Sequence, residues 1–179
     1  MTLGSSTRID LPAAGVHHVD TARSTLTFTG RHLFGLGTVR GTFDISEARV
    51  VVADPVTDST VTAVVDPASF RSGHARRDQD VVSRRYLDVA AHPTIRFTST
   101  GLRPDGDRWV LTGTVGAHGR DVPVELVVDR AEQAGGVVRV HARAEGLDRH
   151  AWGVTGGRGL VGRHFALDLD LALEGAGRG

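Results

Sequence analysis

Nine histidines are scattered along the 179-residue chain, and histidine is the residue type to test first for metal ligation or acid–base chemistry. His17 and His18 are adjacent, so on a strand they point to opposite faces. His74 and His92 flank residues 77–97, and a loop separates His150 from His164. No pair shows the His-x-x-x-His or His-x-His spacing that lets two imidazoles of one element share an ion. No metal and no cofactor is expected. Asp78, Asp88 and His92 are near one another in sequence, but a helix cap and a turn account for them more simply than a catalytic set. Residues 153–162, GVTGGRGLVG, have the glycine content of a phosphate loop but lack the following Lys-Ser/Thr and a βα context. No Gly-x-Ser-x-Gly elbow occurs. The chain has no cysteine and every basic residue is arginine, which removes thiol catalysis, disulfides, thiolate metal sites and lysine Schiff bases. No catalytic residue is assigned.

The length suits one domain, and a formal net charge of +0 argues against a nucleic-acid partner. No run of about 18 apolar residues exists, so stable membrane insertion by a helix is not expected. The first fifteen residues show no apolar segment of a signal peptide, which makes a cytoplasmic setting the expectation. The oligomeric state stays open, a homodimer among the options.

The elements are mostly strands. Residues 24–31, 39–45, 60–65, 94–102, 109–115, 122–128, 138–144 and 165–173 alternate apolar and polar side chains, the period of a half-buried strand. Residues 48–52 are β-branched and continue or pair back. Pro67 is expected to end the run before it. Asp105-Gly106, His118-Gly119 and Gly135-Gly136 read as tight turns, and residues 33–37 as a bend. Residues 78–88 suit one or two helical turns with Asp80 or Ser83 as N-cap. His92-Pro93 then forces extended backbone. Residues 1–16 read as a loose lead-in, 17–174 as the domain and 175–179 as a flexible tail. The expectation is an all-β, antiparallel, up-and-down barrel of about eight strands with a short helical lid, because consecutive short turns make a meander.

Residues 77–99 also carry a resemblance. Arg77, Asp78, Val81, Ser83, Tyr86, Asp88, Val89, Pro93, Thr94, Ile95, Phe97 and Ser99 fill, in order and spacing, a pattern similar to that of the YceI-like, polyisoprenoid-binding family. Asp20, Ser24, Phe28, His32 and Leu33 resemble its opening motif, with His17 where an aromatic is usual. Gly41 with Phe43, Gly113 with Gly119, and Arg149 with Trp152, Gly153 and Val154 match further segments. Asp148 stands where that family has asparagine. The resemblance spans roughly residues 17–173 and implies a lipocalin-like barrel that binds an isoprenoid or other amphiphilic lipid without catalysis.

Phe28, Phe43, Phe70, Phe97, Trp109, Leu111, Trp152 and Phe165 fall on apolar faces. They either fill the barrel or line a cavity in it, since eight strands enclose just enough space for side chains or one ligand. Small residues on inward faces (Ala63, Gly113, Ala142, Ala144) favour the cavity. Burying ~500 Å² of a ligand at ~25 cal/mol/Å² would give roughly 12 kcal/mol before association costs. His32, Asp78 and Arg149 are candidates for a polar mouth that holds a ligand's head. The competing reading is a hydrogen-bonded network that ties the lid to the barrel. An enzyme acting on a small apolar substrate and a filled, ligand-free structural barrel remain the alternative functions.

Overall fold

Alternating apolar and polar residues give strands along most of the chain, and turns or longer connections fold most strands back beside an earlier one. The protein, seen here as a computed structural model, is described over residues 9–32, 35–157 and 159–175. The expectations for residues 1–8, for Leu33 and for residues 176–179 lie outside that range. The strands are β1 (Gly15–Val19), β2 (Thr25–His32), β3 (Gly37–Val52), β4 (Thr60–Arg71), β5 (Ile95–Asp105), β6 (Arg108–Ala117), β7 (Arg120–Ala134), β8 (Val137–Asp148) and β9 (Val161–Glu174). One α-helix, α1 (Ala75–Val82), and three single 3₁₀ turns complete the described residues.

Every pairing is antiparallel. The order β3-β2-β9-β8-β7-β6-β5-β4 closes through a β3–β4 pairing, so eight positions make a complete barrel. The ninth strand shares a position. β1 pairs with β3 and β9, the same neighbours that β2 takes further along. His18 lies opposite Arg49 and Leu26 opposite Phe43, so this seam carries two more residues than β3 between those pairs. They are absorbed in the 3₁₀ turn Thr21–Arg23. Asp20 and Ser24 stitch the break. The Asp20 carboxylate accepts from the N–H groups of Ala22 and Arg23, and the Ser24 hydroxyl donates to the Asp20 carbonyl. Both residues also hold the buried Ala172 of β9, through Asp20 N–H to the Ala172 carbonyl and Ala172 N–H to the Ser24 oxygen. A barrel with one broken strand thus loses few ladder bonds.

Three sequence expectations change. Pro67 does not end its strand. β4 runs through it to Arg71, because Phe43 of β3 faces a four-residue bulge, residues 67–70, where a missing N–H costs no ladder bond. Ser69 closes the bulge by accepting from Asp44 N–H. The helix begins earlier than expected. His74 stands at its N-cap without a side-chain bond, Asp80 is interior, and Ser83 is the C-cap. The lead-in has a place from residue 9 onward, as Asp10 N–H donates to the Ala131 carbonyl.

Chain direction gives the barrel two distinct ends. The lid end carries α1, the β2–β3 and β6–β7 turns and the 149–160 loop. The far end carries residues 9–14, the 53–59 segment and the Gly106 and Gly135–Gly136 turns.

Glycines on the inner wall decide how much of the interior is filled. A Cβ at Gly41 would meet the Phe70 ring at 2.5 Å, and one at Gly113 would collide with Phe97 and the Thr98 carbonyl. These rings therefore cover the bare backbone and take the place a side chain would occupy there. Gly113→Ala should cost about 1–3 kcal/mol in urea denaturation, and markedly less in a Phe97→Ala background. Equal costs in both backgrounds would contradict the ring-on-glycine contact.

Candidate functional site

Enclosure by eight strands leaves a cavity of about 740 Å³. Its wall is built from the inward faces of all eight barrel positions, and Phe28, Phe43, Phe70, Phe97, Trp109, Leu111, Trp152 and Phe165 all line it. Phe43, Phe70, Phe28, Phe165 and Trp152 form one continuous aromatic arc, with successive centroids 5.0, 6.1, 5.1 and 5.9 Å apart. The Trp152 indole N–H, the polar part of that arc, is taken by the Val115 carbonyl at 2.9 Å. Leu167, Leu169 and Leu171 point inward yet are only half-buried, as expected for side chains facing an unfilled space. The barrel here is hollow and not packed shut by its own side chains. Ala63, Ala142 and Ala144 leave volume, as their size suggests. Gly113 does not, because Phe97 occupies the space above it.

The cavity opens at the lid end. Of the residues lining it, Arg31, His74, Arg76, Asp80, Arg85, Leu160 and His164 are exposed, and all sit at that end. At the far end Leu11, Pro12, Val52, Val56 and Ser59 close the wall and none is exposed. The mouth is also strongly cationic. Arg31, Arg76, Arg77, Arg85 and Arg149 line it with Asp80 as the sole carboxylate among the described lining residues, although the whole chain is neutral. Arg85 pairs with Asp80 at 3.9 Å and lies 5.6 Å from the Tyr86 ring centroid.

The three polar candidates divide. His32 lines the mouth, its ring resting on the backbone of Gly37. Asp78 is not part of the lining. Its carboxylate accepts from both the N–H and the hydroxyl of Ser72, at 3.0 and 2.6 Å, which ties α1 to the end of β4. Arg149 lines the cavity but works as a clamp. Its guanidinium donates to the carbonyls of Gly162, Val154 and Val161 at 2.8, 2.7 and 3.2 Å. Burial pulls its pKa below the ordinary arginine value, offset in part by Tyr86 and Asp148. Next to it, the Arg163 guanidinium holds the Asp148 carboxyl at about 2, helped by the His150 N–H. Asp78 is thus engaged outside the cavity, while His32 and Arg149 both border it around Val161, which pairs with His32 and accepts from Arg149.

Several residues here escaped sequence reasoning. Residues 153–162 are glycine-rich for packing. A Cβ at Gly156 would strike the Arg85 carbonyl and one at Gly157 the Tyr86 hydroxyl, so the loop and the lid interlock. His92 and His118 pack with ring centroids 4.9 Å apart and planes tilted by 51°, His118 Nδ1 lies 3.0 Å from the Trp152 carbonyl, and this pins the lid's exit to the β6–β7 turn. Among the described residues no group of three His, Asp or Glu could hold a metal, and no helix is long and apolar enough to cross a membrane.

Comparison with known proteins agrees with this architecture. The sequence model of the YceI-like domain matches residues 17–173. A UPF0312 protein of Pectobacterium atrosepticum is 32% identical over 139 residues, 75% of this chain and 68% of its own length. Protein YceI of Escherichia coli O157:H7 is 31% identical over 109 residues, 59% of this chain and 54% of its own length. The chain therefore spans little more than half of that relative. Among solved structures, BcnA of Burkholderia cenocepacia superposes with a TM-score of 0.77 at 21% identity, covering 86% of this chain and 98% of that one. A polyisoprenoid binding domain from Saccharophagus degradans, implicated in plant cell wall breakdown, gives 0.68 at 13% identity, over 89% and 98%. At these identities the likeness is one of fold.

The clamp is testable. Lysine offers one ammonium where three carbonyls at different angles need a fork, so Arg149→Lys should lose about 2–4 kcal/mol of stability. Hydrogen exchange across residues 153–162 should quicken in that variant. A loss under ~0.5 kcal/mol with unchanged exchange would contradict the clamp.

Proposed function

The chain belongs to the YceI-like family, and from that premise we propose that it is a non-catalytic binding or carrier protein for an isoprenoid-type amphiphile, a polyprenyl chain or an isoprenoid quinone. The observation that carries this reading is a large lumen whose wall is apolar from the far end to the mouth. A dry, empty void of 740 Å³ would cost roughly 18 kcal/mol at ~24 cal/mol per Å³. That exceeds the ~5–15 kcal/mol stability of a whole domain. That cost favours an occupied lumen, and an apolar wall offers water few of the two to four partners it needs. An apolar chain is the occupant the wall favours.

Size supports a long tail. An apolar hole of ~150 Å³ takes one benzene, so the lumen suits on the order of thirty carbon atoms. The far end is closed, which makes the tail enter first and leaves the head at the mouth beside His32. Function then consists of excluding the tail from water while the mouth holds the head. The solved Saccharophagus degradans domain is described as polyisoprenoid binding, which is consistent with this choice of ligand class.

Organic extraction of the purified protein followed by mass spectrometry should release one amphiphile in near-stoichiometric amount. Phe97→Asp, which puts a carboxylate on the wall, should abolish retention while the fold persists by circular dichroism. An extract free of lipid, from protein that also takes up no added polyprenyl compound, would overturn the proposal.

A further inference from the structure

Two exposed leucines mark the rim of the mouth. Leu36 is 90% exposed and Leu160 51%, and these are the large apolar side chains left in water among the described residues. The register places them together. His32 pairs with Gly37 on one side and Val161 on the other, and each leucine lies one residue beyond those partners, past the last rung at the lid end. Arg31 lies next to His32 on β2, and Arg76, Arg77 and Arg85 come from the lid across the same opening. A protein with formal net charge +0 has thus gathered cations and bare leucines on one end.

We propose that this rim docks the protein, mouth down, on an anionic lipid bilayer. Two side chains cannot supply the ~800 Å² per partner of a stable protein interface. They suit shallow insertion at the boundary between headgroups and acyl chains, where each leucine withdrawn from water shifts partition by about tenfold or more. Guanidinium groups pair with lipid phosphates, and each adds about fivefold near an anionic surface. Such docking sets the lumen directly over the lipid phase, so a greasy guest need never cross water. The docking itself does not depend on what the lumen holds, so its failure and the failure of the carrier reading are distinguishable.

Sedimentation with sucrose-loaded vesicles tests it. The full chain should bind vesicles containing phosphatidylglycerol, should leave pure phosphatidylcholine vesicles largely unbound, and should be released by salt. Leu36→Asp with Leu160→Asp should weaken binding at least tenfold. Arg31→Gln with Arg76→Gln, both exposed residues, should weaken it about 25-fold. The far-end pair Arg103→Gln with Arg108→Gln should change nothing. No binding to anionic vesicles, binding indifferent to the rim variants, or an equal loss in the far-end pair would each overturn the proposal.

Discussion

An aromatic ring laid over a glycine takes the place of the missing side chain in the wall, and the open interior depends on that arrangement. Phe70 covers Gly41 and Phe97 covers Gly113, so two large rings take up space at the wall that a Cβ would otherwise need. A barrel of eight positions is near the size at which side chains alone can fill it. Small shifts in ring position therefore decide between a solid core and a binding cavity. Glycine in a strand interior normally weakens the strand, because it has no side chain to pack and loses more entropy on ordering. Here the ring of a neighbouring strand covers the bare backbone and offsets that loss.

The other requirement is closure without a ninth ladder position. The chain meets it by breaking one strand into β1 and β2 and bridging the gap with Asp20 and Ser24, both bonded to Ala172. Arg149 does the comparable task at the opposite end, tying the loop carbonyl of Val154 to the carbonyls of Val161 and Gly162 at the start of β9. Asp78 fastens the lid through Ser72. Polar residues that sequence reading offers as ligand contacts thus divide into structural ties and, in His32, a group left facing the mouth.

Much of the architecture is legible in the alternation of residues 94–102, 109–115, 122–128 and 165–173 and in the turns between them, because a period of two and a glycine turn are local signals. Most of the eight apolar lining residues are legible for the same reason, as they lie on the inward side of alternating runs; Phe70, in the bulge of β4, and Trp152, in a 3₁₀ turn, are not. What local pattern cannot carry is pairing between distant strands. The bulge that admits Pro67, the sharing of one position by β1 and β2, and the plugging of the far end by Leu11 and Pro12 all depend on partners dozens of residues away. The same limit hid the cationic mouth, since Arg31 and Arg76 meet only after the barrel closes. Of the polar trio, only Asp78 is drawn away from the cavity lining, by its bonds to Ser72.

The measurement closest to the central claim is a crystal structure of the protein as purified from its host, at a resolution that shows acyl or prenyl atoms. Continuous tubular density running from beside Trp109 past Phe97 to the mouth at His32 is the predicted result. Side chains swung inward to fill the lumen, with no void and no density between the walls, would contradict the account.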